Sequence, residues 1–200
     1  MGVSDAGHRV GVFGGTFDPV HNGHLVAAVG ARKALGLDAV LMVIAGNPWQ
    51  KAAQELAPAA DRLAMLEAAV AGVEGLMVST LELERPGPSY TADTVEQLRG
   101  IEPDAELHLI LGADAAADLQ TWDRVAVLER ETTLVVVTRA GAPDPPAPDG
   151  WDTTFVRIPA LEISSSDLRR RAAAGQPLDG LMPPAAIRCL RERGLYADRE

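Results

Sequence analysis

The chain has 200 residues, of which 47% are hydrophobic and 23% are charged, and its formal net charge is -10. This length and composition predict one globular domain over residues 1–200 and exclude a disordered chain. The acidic balance argues against a general binder of nucleic acid or acidic membranes, which need a basic surface. A single nucleotide can still bind in a locally positive pocket.

Cysteine use and hydropathy indicate the compartment. Cys189 is the chain's single cysteine, so no intrachain disulfide can form and nothing indicates an oxidising environment. No apolar run approaches the about 20 residues of a membrane span, and residues 1–9 lack the hydrophobic stretch of a signal peptide. We therefore expect a cytoplasmic protein that binds neither membrane nor nucleic acid.

The first elements predict a βα unit. Residues 10–13 have the length and β-branched content of a buried strand. The Gly-Gly pair at 14–15 should end this strand, because glycine adopts backbone angles that other residues avoid. From Asn22 onward, apolar residues recur at spacings of three and four, which predicts a helix with one buried face. His21 and His24 then lie on one side of the helix start.

The segment 14–24, GGTFDPVHNGH, has the chemistry of a phosphate site. The first N–H groups of a helix have no intrahelical partner, and this end of the helix attracts anions. Backbone amides at 14–17 and the ring N–H groups of His21 and His24 would add donors for a polyphosphate. The alternatives are helix caps or zinc ligands, but zinc needs a third ligand and no cysteine or histidine partner is evident.

Strand and helix patterns alternate along the rest of the chain. A continuous apolar run predicts a second strand at 39–45, and further strands are predicted at 76–81, 107–111, 132–138 and 155–158. Five parallel strands with intervening helices predict a Rossmann-like, doubly wound α/β sheet of order 3-2-1-4-5, and a sixth strand is expected at one edge. We expect this core at 9–158 and a C-terminal helical part at 163–196.

Loops at the carboxyl ends of the parallel strands share one edge of the sheet, so their polar residues are candidate ligand contacts. Lys51 follows the second strand, in a loop with Trp49 and Gln50, and either reaches the phosphates or is a solvated surface lysine. Gly112 and Asp114 follow the fourth strand. The carboxylate there suits either a ribose hydroxyl or a helix N-cap.

Two later segments could contact a ligand, one through an anionic group of the ligand and the other through a flat ring. SYTADT at 89–94 starts a helix that Ser89 or Thr91 could cap, and an anion held there would meet amides and a hydroxyl. Trp122 is more often a core residue at such a position, but in a loop after the fourth strand it could stack on a flat ring.

The segment ISSSDLRRR at 163–171 is a second candidate phosphate contact. Its serines and aspartate are expected to cap a helix, and the hydroxyls offer further donors. Arg169 lies one helical turn after Ser166, whereas Arg170 and Arg171 are expected on the solvated face.

These motifs resemble the HxGH nucleotidylyltransferases, and the longer match is similar to the bacterial nicotinate-mononucleotide adenylyltransferases of NAD synthesis. The resemblance covers nearly the whole chain and is carried by widely separated motifs: GGTFDPVHNGH at 14–24, Lys51, SYTADT at 89–94, GADA at 112–115 with Trp122, and ISSSDLR at 163–169.

The resemblance implies transfer of AMP from ATP to nicotinate mononucleotide, with Mg²⁺ held mainly by the phosphates and no protein metal ligand assigned. It implies four catalytic side chains: His21, His24, Lys51 and Arg169. The residues implied to contact ATP come from several motifs: Gly14, Gly15, Thr16, Phe17, both histidines, Gly112, Asp114, Ser165, Ser166 and Arg169. Those implied to contact the mononucleotide are Lys51, Tyr90, Thr91, Asp114 and Trp122.

Two positions depart from the family pattern. Many members have a proline and a histidine before the lysine, where this chain has Trp49 and Gln50. Ala140 follows Arg139 where an Arg-Pro pair is common, which weakens any role for Arg139. The alternative functions are another HxGH transferase, acting on nicotinamide mononucleotide, a pantetheine phosphate or a glycerol phosphate, and a nucleotide-binding regulator without catalysis. Homo-oligomerisation is left open.

Overall fold

A six-stranded parallel sheet forms the centre of the molecule. The computed structural model describes residues 8–48, 55–141 and 143–197. The strands follow the order β3-β2-β1-β4-β5-β6, and every neighbouring pair is parallel. This confirms the Rossmann-like doubly wound prediction, including the sixth strand at the edge beyond β5. The strands are β1 Arg9–Gly15, β2 Ala39–Ile44, β3 Leu76–Ser79, β4 Glu106–Gly112, β5 Thr133–Arg139 and β6 Thr153–Ile158.

Helices cover both faces of the sheet. In the described part of the chain they are α1 Asn22–Leu35, α2 Ala59–Val70, α3 Leu81–Glu84, α4 Thr91–Ile101, α5 Ala113–Ala117, α6 Val125–Glu131, α7 Ser165–Ala173 and α8 Pro184–Glu192. A short 3-10 turn at Leu119–Thr121 follows α5. Among these helices, none is both long and apolar enough to cross a lipid bilayer.

Each face of the sheet carries its own hydrophobic core, because successive side chains of a strand point to opposite faces. Met42 and Ile110 belong to the core that packs against α1, α2 and α8. Val43 and Leu109, their chain neighbours, belong to the core that packs against α4 and α6. Burial on both faces explains the continuous apolar runs in the sequence.

The prediction that the Gly-Gly pair ends β1 is wrong. Gly14 and Gly15 continue the strand and pair with Val43 and Ile44 of β2, and neither has a positive φ. The backbone turns at Phe17, whose φ is 47°, just before a cis peptide bond between residues 18 and 19. Glycine at position 15 serves packing instead, since a Cβ there would lie 3.0 Å from the Phe17 ring.

The predicted third strand is also too long at its end. Residues 76–79 are extended, but Leu81–Glu84 forms the short helix α3. The backbone N–H of Leu83 donates to the carbonyl of Thr80 at 2.8 Å. The backbone here therefore bonds within a helical turn, where bonds to a neighbouring strand were expected. This helix brings Glu82 beneath the loop that follows β2.

Candidate active site

The two histidines of the Gly-rich segment lie at the start of α1, as the spacing predicts. His21 is the N-cap residue and His24 the third residue of the helix. Their rings stack with centroids 3.7 Å apart and an angle of 22° between planes. The backbone N–H of His21 donates to Nδ1 of His24 at 3.2 Å. In the neutral His24 ring the proton therefore lies on Nε2, as a donor.

His21 is held as a neutral imidazole. Its exposed fraction is 8%, and burial, assisted by the positive charge of Arg139, lowers its pKa to about 4. The ring lies against the first turn of α1, where a Cβ on residue 23 would come within 3.0 Å of Nδ1. Glycine at position 23 thus makes room for the ring. At neutral pH the His21 ring can donate one N–H but carries no positive charge.

A first cavity of about 370 Å³ opens beside the histidine pair. Gly112 and Asp114, from the corner after β4, line its far side, and Arg139 lines it from the end of β5. The structure therefore brings four predicted residues together around one space. Arg139 joins them despite its weakened role in the sequence comparison, and it brings a positive charge to this cavity.

A second cavity of about 170 Å³ lies on the other side of the end of β1. Phe13 lines the first cavity and Gly14 the second, because neighbouring residues of a strand face opposite sides of the sheet. Three predicted acceptor contacts line this second cavity: Tyr90, Thr91 and Trp122. Nε1 of Trp122 is buried there and has no hydrogen-bond partner among the described residues.

The predicted ATP contacts divide between the two cavities. Gly14, Gly15 and Thr16 line the second cavity and not the one beside the histidines. Phe17 is buried beneath the site and presents its ring edge to His24, with centroids 5.1 Å apart. Asp114 lines only the first of the two cavities, although the resemblance implies that it contacts both substrates.

The capping expectations have mixed outcomes. Ser164 caps α7, where its Oγ accepts from the Asp167 N–H at 3.2 Å, so the serine-rich segment starts a helix as predicted. The N-cap of α4 is Tyr90 and that of α5 is Gly112, with no side-chain cap at either. The prediction that Ser89 or Thr91 caps α4 is therefore wrong, and of the two alternatives for Asp114 the structure excludes the helix N-cap.

The start of α7 is bonded to the turn that precedes the histidines. Arg169 Nη1 donates to the carbonyl of Asp18 at 2.7 Å, and Ser165 Oγ donates to the carbonyl of Pro19 at 3.0 Å. Arg169 Nη2 also lies 3.3 Å from Ser166 Oγ. None of these α7 side chains lines either cavity as the described residues define them.

Two residues that support the site were not predicted from the sequence. Arg62 of α2 is 2% exposed, and its Nη1 donates to the carbonyls of Thr16 and Ala45, at 2.8 Å each. Its place in the buried stripe of α2, three residues before Met65, was a signal that could have revealed it. The other is Tyr196 of the C-terminal segment, whose hydroxyl bonds to Asp18.

Tyr196 reaches back from the C-terminal segment to the turn after β1. Its hydroxyl donates to Oδ1 of Asp18 at 2.6 Å, and burial raises the pKa of the phenol. Asp18 is 1% exposed, and Arg169 Nη1 lies 3.7 Å from its Oδ2. A contact between residues so distant in the chain leaves no local pattern in the sequence.

Two helix-start amides are already used by backbone carbonyls, and the first is the N–H of His24, which donates to the carbonyl of His21 at 2.9 Å. The N–H of Asn22 donates to the carbonyl of Leu181 at 2.9 Å, so it is not available to an anion. Lys51, Trp49 and Gln50 lie outside the described residues. Within 8–48, 55–141 and 143–197, no three His, Cys, Asp or Glu side chains gather in a way that could hold a metal ion.

The two cavities flank β1 at the point where strand order reverses, between β1 and β4. This is where doubly wound α/β proteins bind nucleotides. Fold and site together define a nucleotide-binding α/β protein. Residues 12–171 match the cytidylyltransferase-like family model.

Relatives and solved structures narrow the class. The chain is 43% identical over 190 residues to the probable nicotinate-nucleotide adenylyltransferase of Saccharopolyspora erythraea, covering 94% of this chain and 89% of the relative. It is 44% identical over 188 residues to that of Thermus thermophilus, covering 94% and 99%. The chain belongs to the cytidylyltransferase-like family and, within it, to the nicotinate-nucleotide adenylyltransferases. Plasmodium falciparum nicotinic acid mononucleotide adenylyltransferase complexed with NaAD has the same fold, with a TM-score of 0.76, 18% identity and coverage of 94% and 97%.

Proposed function

We propose that the protein transfers AMP from ATP to nicotinate mononucleotide, giving nicotinate adenine dinucleotide and pyrophosphate for NAD synthesis. One observation carries the proposal. The end of β1 separates a cavity with two imidazoles from a cavity with an aromatic ring and a helix start. Two nucleotides bound on either side of this strand end would meet at its tip.

ATP would occupy the first cavity. Its phosphates would lie at the start of α1, where His24 Nε2 and the neutral His21 ring donate hydrogen bonds. The ribose would lie toward Asp114, which lines the same cavity. Arg139 would add positive charge on the opposite wall.

Nicotinate mononucleotide would occupy the second cavity. Its carboxylate would meet the N-terminal amides of α4 and the hydroxyl of Thr91, with Tyr90 beside it. Trp122 would stack on the pyridine ring. At Gly14 a Cβ would have no neighbour within 4 Å, so the open space beside this residue lets a phosphate approach the backbone closely.

The reaction needs no protein nucleophile. A phosphate monoester has its second pKa near about 6, so the 5′-phosphate of the mononucleotide is mostly dianionic at neutral pH. One of its oxygens would attack the α-phosphorus of ATP, forming a new P–O bond as the bond to the β-phosphate oxygen breaks and pyrophosphate leaves. The work of the protein is to align two anions and stabilise the developing charge.

The cationic side chains would complete the phosphate site. Arg169 has five N–H donors, and its recorded bonds to Asp18 and Ser166 leave donors for the far end of the triphosphate. Ser165 and Ser166 would lie beside it. Lys51 would approach the transferred phosphate. Mg²⁺ would enter with ATP, bound mainly by phosphate oxygens, which magnesium prefers together with water.

The test is turnover with ATP labelled on the α-phosphate and nicotinate mononucleotide as acceptor. The expected products are labelled nicotinate adenine dinucleotide and unlabelled pyrophosphate in equal amounts. If product formed only with nicotinamide mononucleotide or only with a pantetheine phosphate, the assignment of nicotinate mononucleotide as the acceptor would be wrong. ATP binding without product from any acceptor would favour a non-catalytic regulator.

A further inference from the structure

A carboxyl group is buried in the wall of the second cavity. Glu82 of α3 is 8% exposed and lines this cavity with Tyr90 and Thr91. Burial raises the pKa of the carboxyl, whereas hydrogen bonds from Thr94 and Ser89 act in the opposite direction. A buried carboxyl without hydrogen-bond partners would destabilise the fold, and in a cavity proposed to bind an anion it would also repel the ligand. The groups that surround Glu82 therefore indicate its role.

Two hydroxyl groups lie beside this carboxyl. Thr94 Oγ1, in the first turn of α4, donates to Oε1 of Glu82 at 2.9 Å. The Ser89 hydroxyl lies close enough to the carboxyl to lower its pKa. A carboxylate has two accepting oxygens, whereas the amide of glutamine has one.

Ser89 extends this network to the loop after β2. Its Oγ accepts from the backbone N–H groups of Gly46 and Asn47, at 3.1 Å each, while its own N–H donates to the Asn47 carbonyl at 2.8 Å. Glu82 packs directly under this loop, because a Cβ on Gly46 would lie 2.5 Å from its carbonyl oxygen. Glu82 thus contacts α4 through its carboxyl and the loop after β2 through its backbone, while Ser89 links the start of α4 to the same loop.

Those three segments form part of the lining of the second cavity, together with the ends of β1 and β4 and the segment at Trp122. Pro48 lines it from the loop after β2, and Tyr90 and Thr91 line it from the start of α4. Arg85 stands behind Glu82, with Nη2 donating to the Tyr90 carbonyl at 3.4 Å and to Thr94 Oγ1 at 3.3 Å. The same network therefore holds the backbone of both walls.

We propose that Glu82 is a positioning residue for acceptor binding. Its carboxyl fixes the start of α4 against the loop after β2 and so sets the distance between the two walls of the second cavity. The inference rests on the proposed function, because that function assigns the acceptor to this cavity. The first cavity and the histidine pair lie on the other side of β1 and share none of these hydrogen bonds.

The experiment compares E82Q with wild type. The substitution keeps the shape of the side chain but replaces one accepting oxygen by an NH2 group, which can only donate. We expect KM for nicotinate mononucleotide to rise about 10-fold, with KM for ATP and kcat within about threefold of wild type. E84Q is the matched control, because Glu84 lies two residues away on the same helix and is exposed; its kinetics should equal those of wild type.

Two partner variants keep the inference testable even if E82Q fails to fold. S89A and T94V each remove one of the two hydroxyls and should raise the same KM. In the double variant E82Q/S89A, KM should rise by less than the product of the two single effects, since both changes break one network. Calorimetric titration with nicotinate mononucleotide should show the same loss of affinity without turnover.

The outcomes separate the two proposals. A wild-type protein that makes no product from nicotinate mononucleotide overturns the proposed function. An active wild type with E82Q, S89A and T94V unchanged in KM overturns the positioning role alone. Equal rises in KM for ATP and for the mononucleotide would also overturn it, because they indicate general loosening of the fold. Thermal unfolding of each variant identifies such loosening directly.

Discussion

The imidazole rings of His21 and His24 stack face to face, with centroids 3.7 Å apart, while His24 accepts a hydrogen bond from the backbone of His21. At this distance two positive charges would repel each other strongly. Burial resolves the conflict by lowering the pKa of His21 to about 4. The pair therefore offers ring N–H groups to a phosphate without requiring both rings to be charged.

The stability of the fold should depend on pH through His21. The unfolded side chain takes up a proton near its ordinary pKa of 6.5, and the folded one only near about 4. Between these values the unfolded state binds more protons, so stability is lost as pH falls through this window. The full interval corresponds to about 3 kcal/mol.

Urea unfolding at about pH 7 and about pH 4.5 measures this effect. Burial also lowers the pKa of His108, which contributes in the same direction, so the comparison between wild type and His21→Gln isolates His21. The variant should lose less stability on acidification than wild type. Equal losses in wild type and His21→Gln would contradict the assignment.

Replacing His24 should impair chemistry more than folding. His24→Ala removes a ring N–H from the first cavity, and loss of one such donor typically lowers kcat by about 10²- to 10³-fold. Steady-state kinetics with both substrates measure the change, and circular dichroism checks the fold. His8→Ala serves as the control. Unchanged kcat in a folded His24→Ala sample would exclude His24 from the transition state.

Replacing Trp122 should act on one substrate. Trp122→Ala removes the ring proposed to stack on the pyridine, which should raise KM for nicotinate mononucleotide about 10-fold and leave KM for ATP nearly unchanged. Trp122→Phe keeps an aromatic face and should show a smaller rise. A rise confined to KM for ATP would mean that the two cavities hold the substrates in the opposite order.

Arg62 should matter for stability although it lines neither cavity. Arg62→Met would leave the buried carbonyls of Thr16 and Ala45 without their donor, which should cost about 3 kcal/mol in the free energy of unfolding. Urea unfolding measures this loss. Arg170→Met, at an exposed position of α7, should change stability by less than about 0.5 kcal/mol. Similar stability of both variants would show that the turn after β1 does not depend on Arg62.

Local patterns in the sequence were enough to predict the sheet and the histidine pair. Strands buried on both faces appear as continuous apolar runs, and three-residue spacing at a helix start places two rings side by side. The turn after β1 was harder to predict. Glycine suggested a bend at 14–15, but the bend falls at Phe17, where tertiary packing fixes a backbone angle that phenylalanine seldom adopts.

The residues that support the site could not be predicted from local sequence patterns. The bonds of Arg62 to Thr16 and of Tyr196 to Asp18 join residues far apart in the chain, so their partners follow only from the packed fold. The same holds for Glu82. Its burial beneath the loop after β2 depends on packing against Gly46, which is distant in the chain, and on α3 forming where the end of a strand was predicted.

A crystal structure of the protein with nicotinate adenine dinucleotide bound would test the two-cavity arrangement most directly. We predict the adenylate half beside His21 and His24, and the nicotinate ring against Trp122 with its carboxylate at the start of α4. A dinucleotide bound in the reverse direction, or outside both cavities, would contradict it.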